Sequence, residues 1–253
     1  MLKSNLNYSR KNSIVYLDGN PILEFDSYFP DFEKLSETAI EYLNKYLSMY
    51  PDKVKILEPM ANKIIKIFYD VETTGVNHRR HGIHQLSGLI EVDGKVKEEF
   101  NWYVKPNPKA EIDLMALAAS GTSIDDFDMY PEMETVFKEF KKILDQYVNR
   151  FDKKEKAWLV GFNNRSFDDD FLRAWFEQNG DTFFESYFWS DSLDALVLAS
   201  QFLIHQRKDM PSFKLKRVAL ELGIKVDESR LHDSSYDVQL TREIYNIVTD
   251  PIF

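Results

Sequence analysis

Residues 67–75 read IFYDVETTG, an apolar run interrupted by the two acids Asp70 and Glu72. The run is typical of a buried strand, and residues two apart on a strand point to the same side. Both carboxylates therefore share one face, where their burial is costly unless a cation or a hydrogen-bond donor neutralises them. Acidic oxygen ligands suit Mg²⁺ or Mn²⁺ better than zinc. The competing interpretation is a strand end that frays into solvent and binds nothing.

A second acidic segment, VGFNNRSFDDDFL at residues 160–172, predicts a strand followed by a helix that begins around residues 166–168. Acids in the first turn of a helix satisfy free backbone N–H groups and complement the helix dipole. Capping therefore explains much of the acidic run at residues 168–170. It does not explain why Asn164 and Phe167 stand beside that run.

A third segment, LHDSSYDVQL at residues 231–240, places His232 five positions before Asp237, in a polar loop that leads into a helix. The chain has five histidines, and no other one has an aspartate at this spacing. Histidine titrates near neutral pH and can act as a general base. A lone histidine is more often a structural residue, and for this segment by itself that interpretation stays open.

The composition excludes several classes of protein. The chain has 253 residues, of which 43% are hydrophobic, so it can bury a sizeable core. It has no cysteine, which excludes disulfides and thiolate zinc sites. A net charge of −10 argues against a protein that coats nucleic acid, but not against an enzyme that handles nucleic acid through bound metal. With no secretory signal and no apolar run of membrane-spanning length, we expect an intracellular, cytoplasmic protein without a membrane partner.

The pattern of elements changes near residue 62. Before it lie two short strand-like runs around a DGNP turn, an amphipathic helix and a linker, at residues 13–25, 29–51 and 52–62 respectively. We therefore expect a small N-terminal hairpin-plus-helix extension over residues 1–62, of unknown role, and a main domain over residues 63–253.

Beyond that boundary the chain alternates between strands and helices. Two strand-like runs flank Asp93-Gly94, which is a strong hairpin signal, and AWLVGF at residues 157–162 is a further strand. Helical patterns cover residues 112–120, 131–148, 168–178, 192–204, 213–223 and 235–248. Strands followed by alternating strands and helices predict an α/β fold, with a mixed sheet covered by helices.

Together, the three acidic segments resemble the DEDDh class of 3′–5′ exonucleases, the superfamily of proofreading subunits, RNase T and oligoribonuclease. DVETTG matches the first motif of that class, NRSFDDDFL the second, and the His232–Asp237 pair the third, in the family's order. The resemblance extends over residues 64–248, where ALAASGTSIDDF, DALVLA and FKLKRVALELGI match family segments between the motifs. It implies a ribonuclease H-like fold, with a mixed five-stranded sheet flanked by helices.

The resemblance also implies a role for each motif residue. Two divalent metal ions, Mg²⁺ or Mn²⁺, would be held by the carboxylates of Asp70, Glu72, Asp168 and Asp237. The general base would be His232. Contacts to the terminal nucleotide would come from Thr73, Thr74, Gly75, Asn164 and Phe167. The implied partner is nucleic acid with a free 3′ end, single-stranded and DNA by preference, and the implied product is a nucleoside 5′-monophosphate.

Several alternatives stay open. The same site would serve an RNA-directed 3′–5′ exoribonuclease, because no motif reveals a contact to the 2′-hydroxyl. An endonuclease, or a nucleic-acid-binding or assembly module with a vestigial site, is a further candidate, although the presence of all five site residues argues against a vestigial site. Because residues 168–170 are all aspartate, the metal ligand could be a neighbour of Asp168. Basic residues at 77–84 and 214–217 are candidates for strand binding, and residues 1–60 for contact with a protein partner or a second copy.

Overall fold

A computed structural model describes residues 63–231 and 233–250 with their side chains, together with the backbone of four short strands within the first 62 residues. The contacts between Cα atoms divide the chain into two compact units, Met1–Lys63 and Ile64–Phe253. Two sequence predictions, the helix at residues 29–51 and the role of His232, lie outside the described residues.

The first unit contains a four-stranded antiparallel sheet rather than a lone hairpin. Its strands are β1 (Leu6–Ser9), β2 (Ile14–Leu17), β3 (Asn20–Phe25) and β4 (Val54–Ile56), in the order β1-β2-β3-β4. The hairpin expected around DGNP is present as the antiparallel pair of β2 and β3. The expectation of a linker is wrong at β4, which pairs with β3. The open edge of a hairpin offers unpaired N–H and C=O groups that a third strand can satisfy.

The second unit is built on a mixed five-stranded sheet, as the sequence predicts. Its strands are β5 (Ile65–Thr73), β6 (Ile83–Val92), β7 (Lys95–Tyr103), β8 (Ala157–Gly161) and β9 (Leu193–Asp194), in the order β7-β6-β5-β8-β9. β5, β6 and β7 are antiparallel neighbours, and β8 and β9 continue the sheet in parallel with β5. The hairpin between β6 and β7 turns at Asp93-Gly94, where φ is 50° and 78°, as the tight turn of a two-residue hairpin requires.

Helices cover both faces of this sheet. Those in the described part of the unit are α1 (Leu114–Ser120), α2 (Met133–Tyr147), α3 (Asp168–Gln178), α4 (Phe184–Tyr187), α5 (Ala195–Phe202), α6 (Leu215–Glu221) and α7 (Ser234–Thr249). The helix expected from Ser192 begins later, at Ala195, because β9 first pairs with β8 and Asp194 then caps the helix. Among the described residues, none of the helices combines the length and apolar character needed to cross a membrane.

The sheet separates two apolar layers, and β5 contributes to both. Ile67 and Tyr69 pack in the layer formed with α2, α3 and α4. Phe68 packs in the opposite layer, formed with α5, α6 and α7. Side chains alternate along a strand, so Asp70 and Glu72 share the face of Phe68. That face is the one on which α7 contacts β5 and β6.

Candidate active site

Asp70 and Glu72 are half-buried on β5, the central strand of the sheet. Burial raises the pKa of Asp70 well above its usual value, and the charges of Asp168, Glu72 and Asp237 raise it further. Burial also raises the pKa of Glu72 to about 7, with a further contribution from Asp237. No cation of the described chain is among the groups that shift these two pKa values. The strand therefore carries two carboxyl groups for which the charged form is unfavourable.

Asp168 is the first residue of α3, and its side chain reaches back to β5. Its Oδ1 accepts a hydrogen bond from the backbone N–H of Val71, at 3.2 Å, so it lies beside the segment between the two strand acids. The residue is only 6% exposed. Burial raises the pKa of Asp168 to about 7, against the lowering effect of the N–H donors, and the charges of Asp169 and Glu72 add to the rise.

Asp237 lies in the first turn of α7. Its charge raises the pKa of both Asp70 and Glu72, which places its carboxylate close to both. The start of α7 is fixed to the sheet by a hydroxyl–hydroxyl hydrogen bond of 2.5 Å between Ser234 and Ser87. Asp237 follows Ser234 by three residues, which is almost one helical turn. The bond at Ser234 therefore also fixes the position of Asp237 along the strand acids.

The structure thus brings together the four acids that the sequence predicts, from β5, α3 and α7. We call Asp70, Glu72, Asp168 and Asp237 the carboxylate cluster. Within residues 63–231 and 233–250, no three His, Asp or Glu side chains are already arranged to hold a metal ion. The donor set nevertheless fits a divalent ion. It consists of carboxylate oxygens, which Mg²⁺ and Mn²⁺ prefer, and the groups that shift the pKa values of Asp70, Glu72 and Asp168 include no cation of the described residues.

The three adjacent aspartates of α3 have different surroundings. Asp168 faces β5. Asp169 accepts hydrogen bonds from the Tyr69 hydroxyl, the Asn164 amide at 2.9 Å and the Ser192 hydroxyl. Asp170 is 49% exposed in its side chain and lies 3.6 Å from the ring of His78. Since three donors already occupy the Asp169 carboxylate, Asp168 is the aspartate of this run that is free to take a ligand beside β5.

Sequence reasoning missed the hydrogen bonds that hold Asp169. Tyr69 points to the opposite face of β5 from Asp70 and is only 3% exposed. A buried tyrosine hydroxyl needs a hydrogen-bond partner, and this need was the one signal that the sequence offered. No spacing rule identifies a partner 100 positions further along the chain.

Of the residues expected to contact the terminal nucleotide, Thr73 and Thr74 use their hydroxyl groups in hydrogen bonds within the chain. Thr74 is fully buried, and its hydroxyl donates to the Glu111 carbonyl at 2.6 Å while accepting from the Gly82 N–H at 3.0 Å. The Thr73 hydroxyl donates to the Gly75 carbonyl at 2.8 Å. These side chains shape the end of β5, and Gly75 is itself buried, since an added Cβ would lie 2.2 Å from the ring of His81. Contact of this segment with a nucleotide stays a prediction.

Asn164 and Phe167 form the connection from β8 to α3. Asn164 is fully buried against Gly161, where an added Cβ would lie 2.5 Å from the Asn164 side chain. Its amide nitrogen donates to Asp169. Phe167 is half-buried, with its ring centroid 5.0 Å from that of Phe171. Asn164 therefore stabilises the first turn of α3 through its hydrogen bond to Asp169. Phe167 is the more exposed of the two residues.

The two basic stretches are partly engaged with acids of the chain itself. Arg80 forms an ion pair with Glu111. Lys216 pairs with Glu228 at 2.9 Å and Arg217 with Glu221 at 2.6 Å. Arg79 is exposed. Strand binding by these stretches stays a prediction.

The expected general base, His232, lies outside the described residues, whereas the residues that follow it in the sequence are described. Asp233 is the N-cap of α7, where its carboxylate accepts the Ser235 N–H at 3.0 Å. Its backbone N–H donates to the Arg230 carbonyl at 3.0 Å. His232 directly precedes this cap in the sequence, and its role stays a prediction.

Comparison with known proteins identifies relatives of this chain. A family model described as Exonuclease matches residues 67–245. DNA polymerase III PolC-type of Mycoplasmopsis pulmonis is 25% identical over 246 residues, covering 92% of this chain and 15% of that protein. Exodeoxyribonuclease I of Buchnera aphidicola is 27% identical over 199 residues, covering 72% of this chain and 39% of that protein. The chain thus spans well under half the length of these relatives.

Solved structures share the fold. Exonuclease I of E. coli in complex with a dT13 oligonucleotide superposes with a TM-score of 0.59 at 20% identity, covering 73% of this chain and 41% of that one. The zinc-bound complex of the same enzyme with single-stranded DNA gives a TM-score of 0.60 at 20% identity, covering 73% of this chain and 40% of the other. These similarities confirm the mixed five-stranded sheet flanked by helices.

Proposed function

This chain belongs to the exonuclease family, and from that premise we propose that it is a metal-dependent 3′–5′ exonuclease that shortens DNA from its 3′ end and releases nucleoside 5′-monophosphates. Members of this family generally depend on divalent metal ions. The observation that carries the proposal is the mutual effect of the carboxylate cluster, in which Asp70 has its pKa raised by the three other acids. Buried acids that raise one another's pKa are typical of functional sites, and a bound cation is one way to offset their repulsion.

In the proposed reaction, the chain holds carboxylate oxygens from β5, α3 and α7 close together. Asp70 lies centrally, since it is affected by all three other acids. Asp168 is fixed by the Val71 N–H, and Asp237 by the docking of α7. These residues would hold divalent ions, which would supply the positive charge that activates a water and stabilises the attacking and leaving oxygens.

His232 is proposed as the general base that takes the proton from the attacking water. Histidine side chains ordinarily titrate near neutral pH, and His232 directly precedes, in the sequence, the N-cap of the helix that carries Asp237.

Support for DNA as the substrate comes from the relatives. Exodeoxyribonuclease I and a DNA polymerase are both named for DNA, and the E. coli exonuclease I structure contains a single-stranded dT13 oligonucleotide. We therefore propose single-stranded DNA with a free 3′ end as the substrate. The exoribonuclease and the vestigial binding module stay as weaker candidates, since no observation in the structure favours either.

The test is a comparison of 3′-labelled and 5′-labelled strands of DNA and RNA, both single-stranded and paired, with Mg²⁺, Mn²⁺ or a chelator. We expect immediate release of labelled mononucleotide from the 3′-labelled single-stranded DNA, and only with metal. Faster turnover of RNA would transfer the proposal to the exoribonuclease. Short internal fragments at early times would contradict an exonuclease.

A further inference from the structure

A series of hydrogen bonds connects the edge of the sheet to the helix that carries Asp237. β7 is the edge strand, and Asn101 on this strand is exposed. The Asn101 Oδ1 accepts two hydrogen bonds from side chains of β6, one from Gln85 Nε2 at 2.8 Å and one from the Ser87 hydroxyl at 3.0 Å. Ser87 in turn bonds to Ser234, the first residue of α7, at 2.5 Å. We call these three bonds the edge-to-helix network.

The direction of each bond in this network follows from the number of hydroxyl protons. A serine hydroxyl has one proton to donate, and its oxygen can also accept. Ser87 donates its proton to Asn101, so in the bond between the two serines Ser234 donates and Ser87 accepts. The network therefore ends on a single acceptor, the Asn101 Oδ1, on which the other members depend.

The members of the network other than Asn101 are buried. Ser87 is fully buried, Ser234 is 1% exposed and Gln85 is 8% exposed. A buried donor that loses its acceptor destabilises the structure around it. Without the Asn101 oxygen, the Ser87 proton can turn to Ser234, but the Ser234 proton then has no acceptor within the network. The loss of one oxygen at the sheet edge therefore changes how the start of α7 binds to β6.

The network lies beside two acids of the carboxylate cluster. Asp237 is one helical turn from Ser234, and its charge raises the pKa of Glu72, so the two acids are close together. Gln85 on β6 is directly opposite Glu72 on β5, and residues directly opposite on neighbouring strands share one face of the sheet. The Gln85 side chain therefore lies next to Glu72, and its amide nitrogen is held by Asn101. One acceptor thus orders a neighbour of each of these two acids.

Resting on the function proposed above, we propose that Asn101 is a positioning residue of the metal site, whose side-chain oxygen holds the Asp237 carboxylate in place relative to Glu72 through the edge-to-helix network. Groups that orient metal ligands contribute to metal affinity without binding the ion themselves. Asn101 has this role because it accepts hydrogen bonds, and its own amide N–H groups are not needed for it.

Two substitutions of Asn101 separate the acceptor from the bulk of the side chain. Asn101→Leu keeps a side chain of similar size without the oxygen, whereas Asn101→Asp keeps an acceptor at the same place. Tyr147→Phe is the matched control, because it removes another side-chain bond to β7, from the Tyr147 hydroxyl to Glu98 at 3.1 Å. Glu98 and Asn101 are an odd number of positions apart on the strand, so this bond lies on the opposite face of the sheet.

The first measurement is Mn²⁺ binding to the full chain without substrate, followed by electron paramagnetic resonance. Asn101→Leu should weaken Mn²⁺ binding about 10-fold, the lower end of the loss that follows removal of a group supporting a metal ligand. Asn101→Asp should bind Mn²⁺ at least as tightly as the native chain, and Tyr147→Phe should bind it equally well.

The second measurement is turnover of single-stranded DNA at increasing Mg²⁺ concentration. Asn101→Leu should need about 10-fold more Mg²⁺ for half of its maximal rate. Its KM for DNA at saturating Mg²⁺ should stay native, because the substitution changes the metal site and not the contacts with DNA.

Urea unfolding in chelator separates positioning from a purely structural role. A lower urea midpoint for Asn101→Leu together with native Mn²⁺ affinity would overturn the proposal. So would an Asn101→Asp variant as defective as Asn101→Leu, because the asparagine would then act through its N–H groups. If Mn²⁺ binding shows the selective loss but the native chain releases no mononucleotide, the positioning role stands and the nuclease falls. If the native chain releases mononucleotide and Asn101→Leu needs no additional metal, the nuclease stands and the positioning role falls.

Discussion

At the scale of the residue, the carboxylate cluster is a set of acids whose charged form is made unfavourable by burial and by their mutual repulsion. The pKa of Glu72 and that of Asp168 are both raised to about 7, chiefly by burial. Near neutral pH these groups retain part of their protons in the absence of a cation. The three adjacent aspartates of α3 differ because each carboxylate has different partners: the Val71 N–H for Asp168, the Tyr69 hydroxyl for Asp169 and the His78 ring for Asp170.

Glu72→Gln should stabilise the metal-free protein in a pH-dependent way. The folded state keeps the Glu72 proton up to about pH 7, whereas the unfolded chain loses it near 4.5, so the folded state binds more protons between these values. Stability contributed by this group is therefore present at low pH and lost as the pH rises through about 7. One pKa unit is about 1.4 kcal/mol, so the variant should gain about 1–3 kcal/mol of unfolding free energy at pH ~8 and nothing at pH ~4.

Urea unfolding in chelator at both pH values measures this difference. Glu177→Gln, the same change at an exposed position of α3, is the control and should show no pH-dependent gain. Added Mg²⁺ should reverse the order of stability, because it binds the native cluster and not the variant. A variant that is less stable than the native chain at pH ~8 without metal would contradict this explanation of the raised pKa.

Substituting the three aspartates of α3 one at a time tests which one is the ligand. Asp168→Asn should abolish hydrolysis and leave the fold intact. Asp170→Asn should leave turnover unchanged, since its side chain faces His78 and solvent. Asp169→Asn should cost about 1–3 kcal/mol of stability, because one of the donors from Tyr69, Asn164 and Ser192 loses its acceptor. Turnover and urea midpoints of the three variants give the ranking, and an active Asp168→Asn would shift the ligand to a neighbour.

His232→Ala should lose turnover without losing metal. Loss of a general base typically lowers the rate about 10²–10⁴-fold, while the carboxylate cluster keeps all its oxygen donors. Mn²⁺ binding followed by electron paramagnetic resonance should match that of the native chain, and so should affinity for a 3′ end. Equal losses of metal affinity and activity would make His232 a ligand instead of a base.

At the scale of the element, the sequence predicted the main sheet and its helices well because each local pattern agrees with the tertiary fold. The Asp93-Gly94 hairpin, Gly121 after α1 with φ of 71°, and the acids at the start of α3 are local signals. The four acids of the cluster were also predicted, through the resemblance of their short motifs to those of the DEDDh exonucleases. β4 was missed, because three residues carry too little periodicity to distinguish a strand from a linker. The Tyr69–Asp169 contact was missed, because it depends on tertiary pairing.

The attachment of α7 to the sheet has a testable consequence. Ser234→Ala removes the hydroxyl that bonds to Ser87 and should cost about 1–3 kcal/mol of stability, since the buried Ser87 hydroxyl loses a partner. It should also lower kcat, because α7 positions Asp237. A second attachment of α7 to the sheet remains, because Glu91 on β6 pairs with Lys66 at 3.1 Å and with Arg242 of α7 at 2.8 Å. The helix should therefore still dock. Ser235→Ala, the same change one residue later, should affect neither kcat nor the urea midpoint; equal effects of both changes would mean that the hydroxyl bond does not position α7.

At the scale of the whole molecule, two compact units differ in their relation to the proposed reaction. The family match begins at residue 67, and every member of the carboxylate cluster lies in the second unit. We propose that residues 1–62 form an appendage that supplies no catalytic group and acts on substrate access or assembly, through a protein partner or a second copy of the chain.

A shortened chain that starts at Asn62 should therefore keep mononucleotide release on short single-stranded DNA. Its kcat should match that of the full chain, because the sheet and helices of the cluster are intact, while its solubility or oligomeric state changes. Light scattering and turnover are measured side by side, with circular dichroism as the check on folding. A folded, metal-loaded shortened chain without activity on short strands would place part of the active site in the first unit.

The function proposed for the whole molecule depends on the carboxylate cluster cutting nucleotides from the 3′ end. The decisive experiment follows a 5′-labelled single-stranded DNA over time in Mg²⁺, with mass spectrometry of the released product, for the native chain and for Asp70→Ala at equal folded concentration. We expect a ladder that shortens one nucleotide at a time, nucleoside 5′-monophosphate as the product, no reaction in chelator, and no reaction in Asp70→Ala. Early release of the 5′ label, turnover in chelator, or full activity of Asp70→Ala would contradict the proposed function.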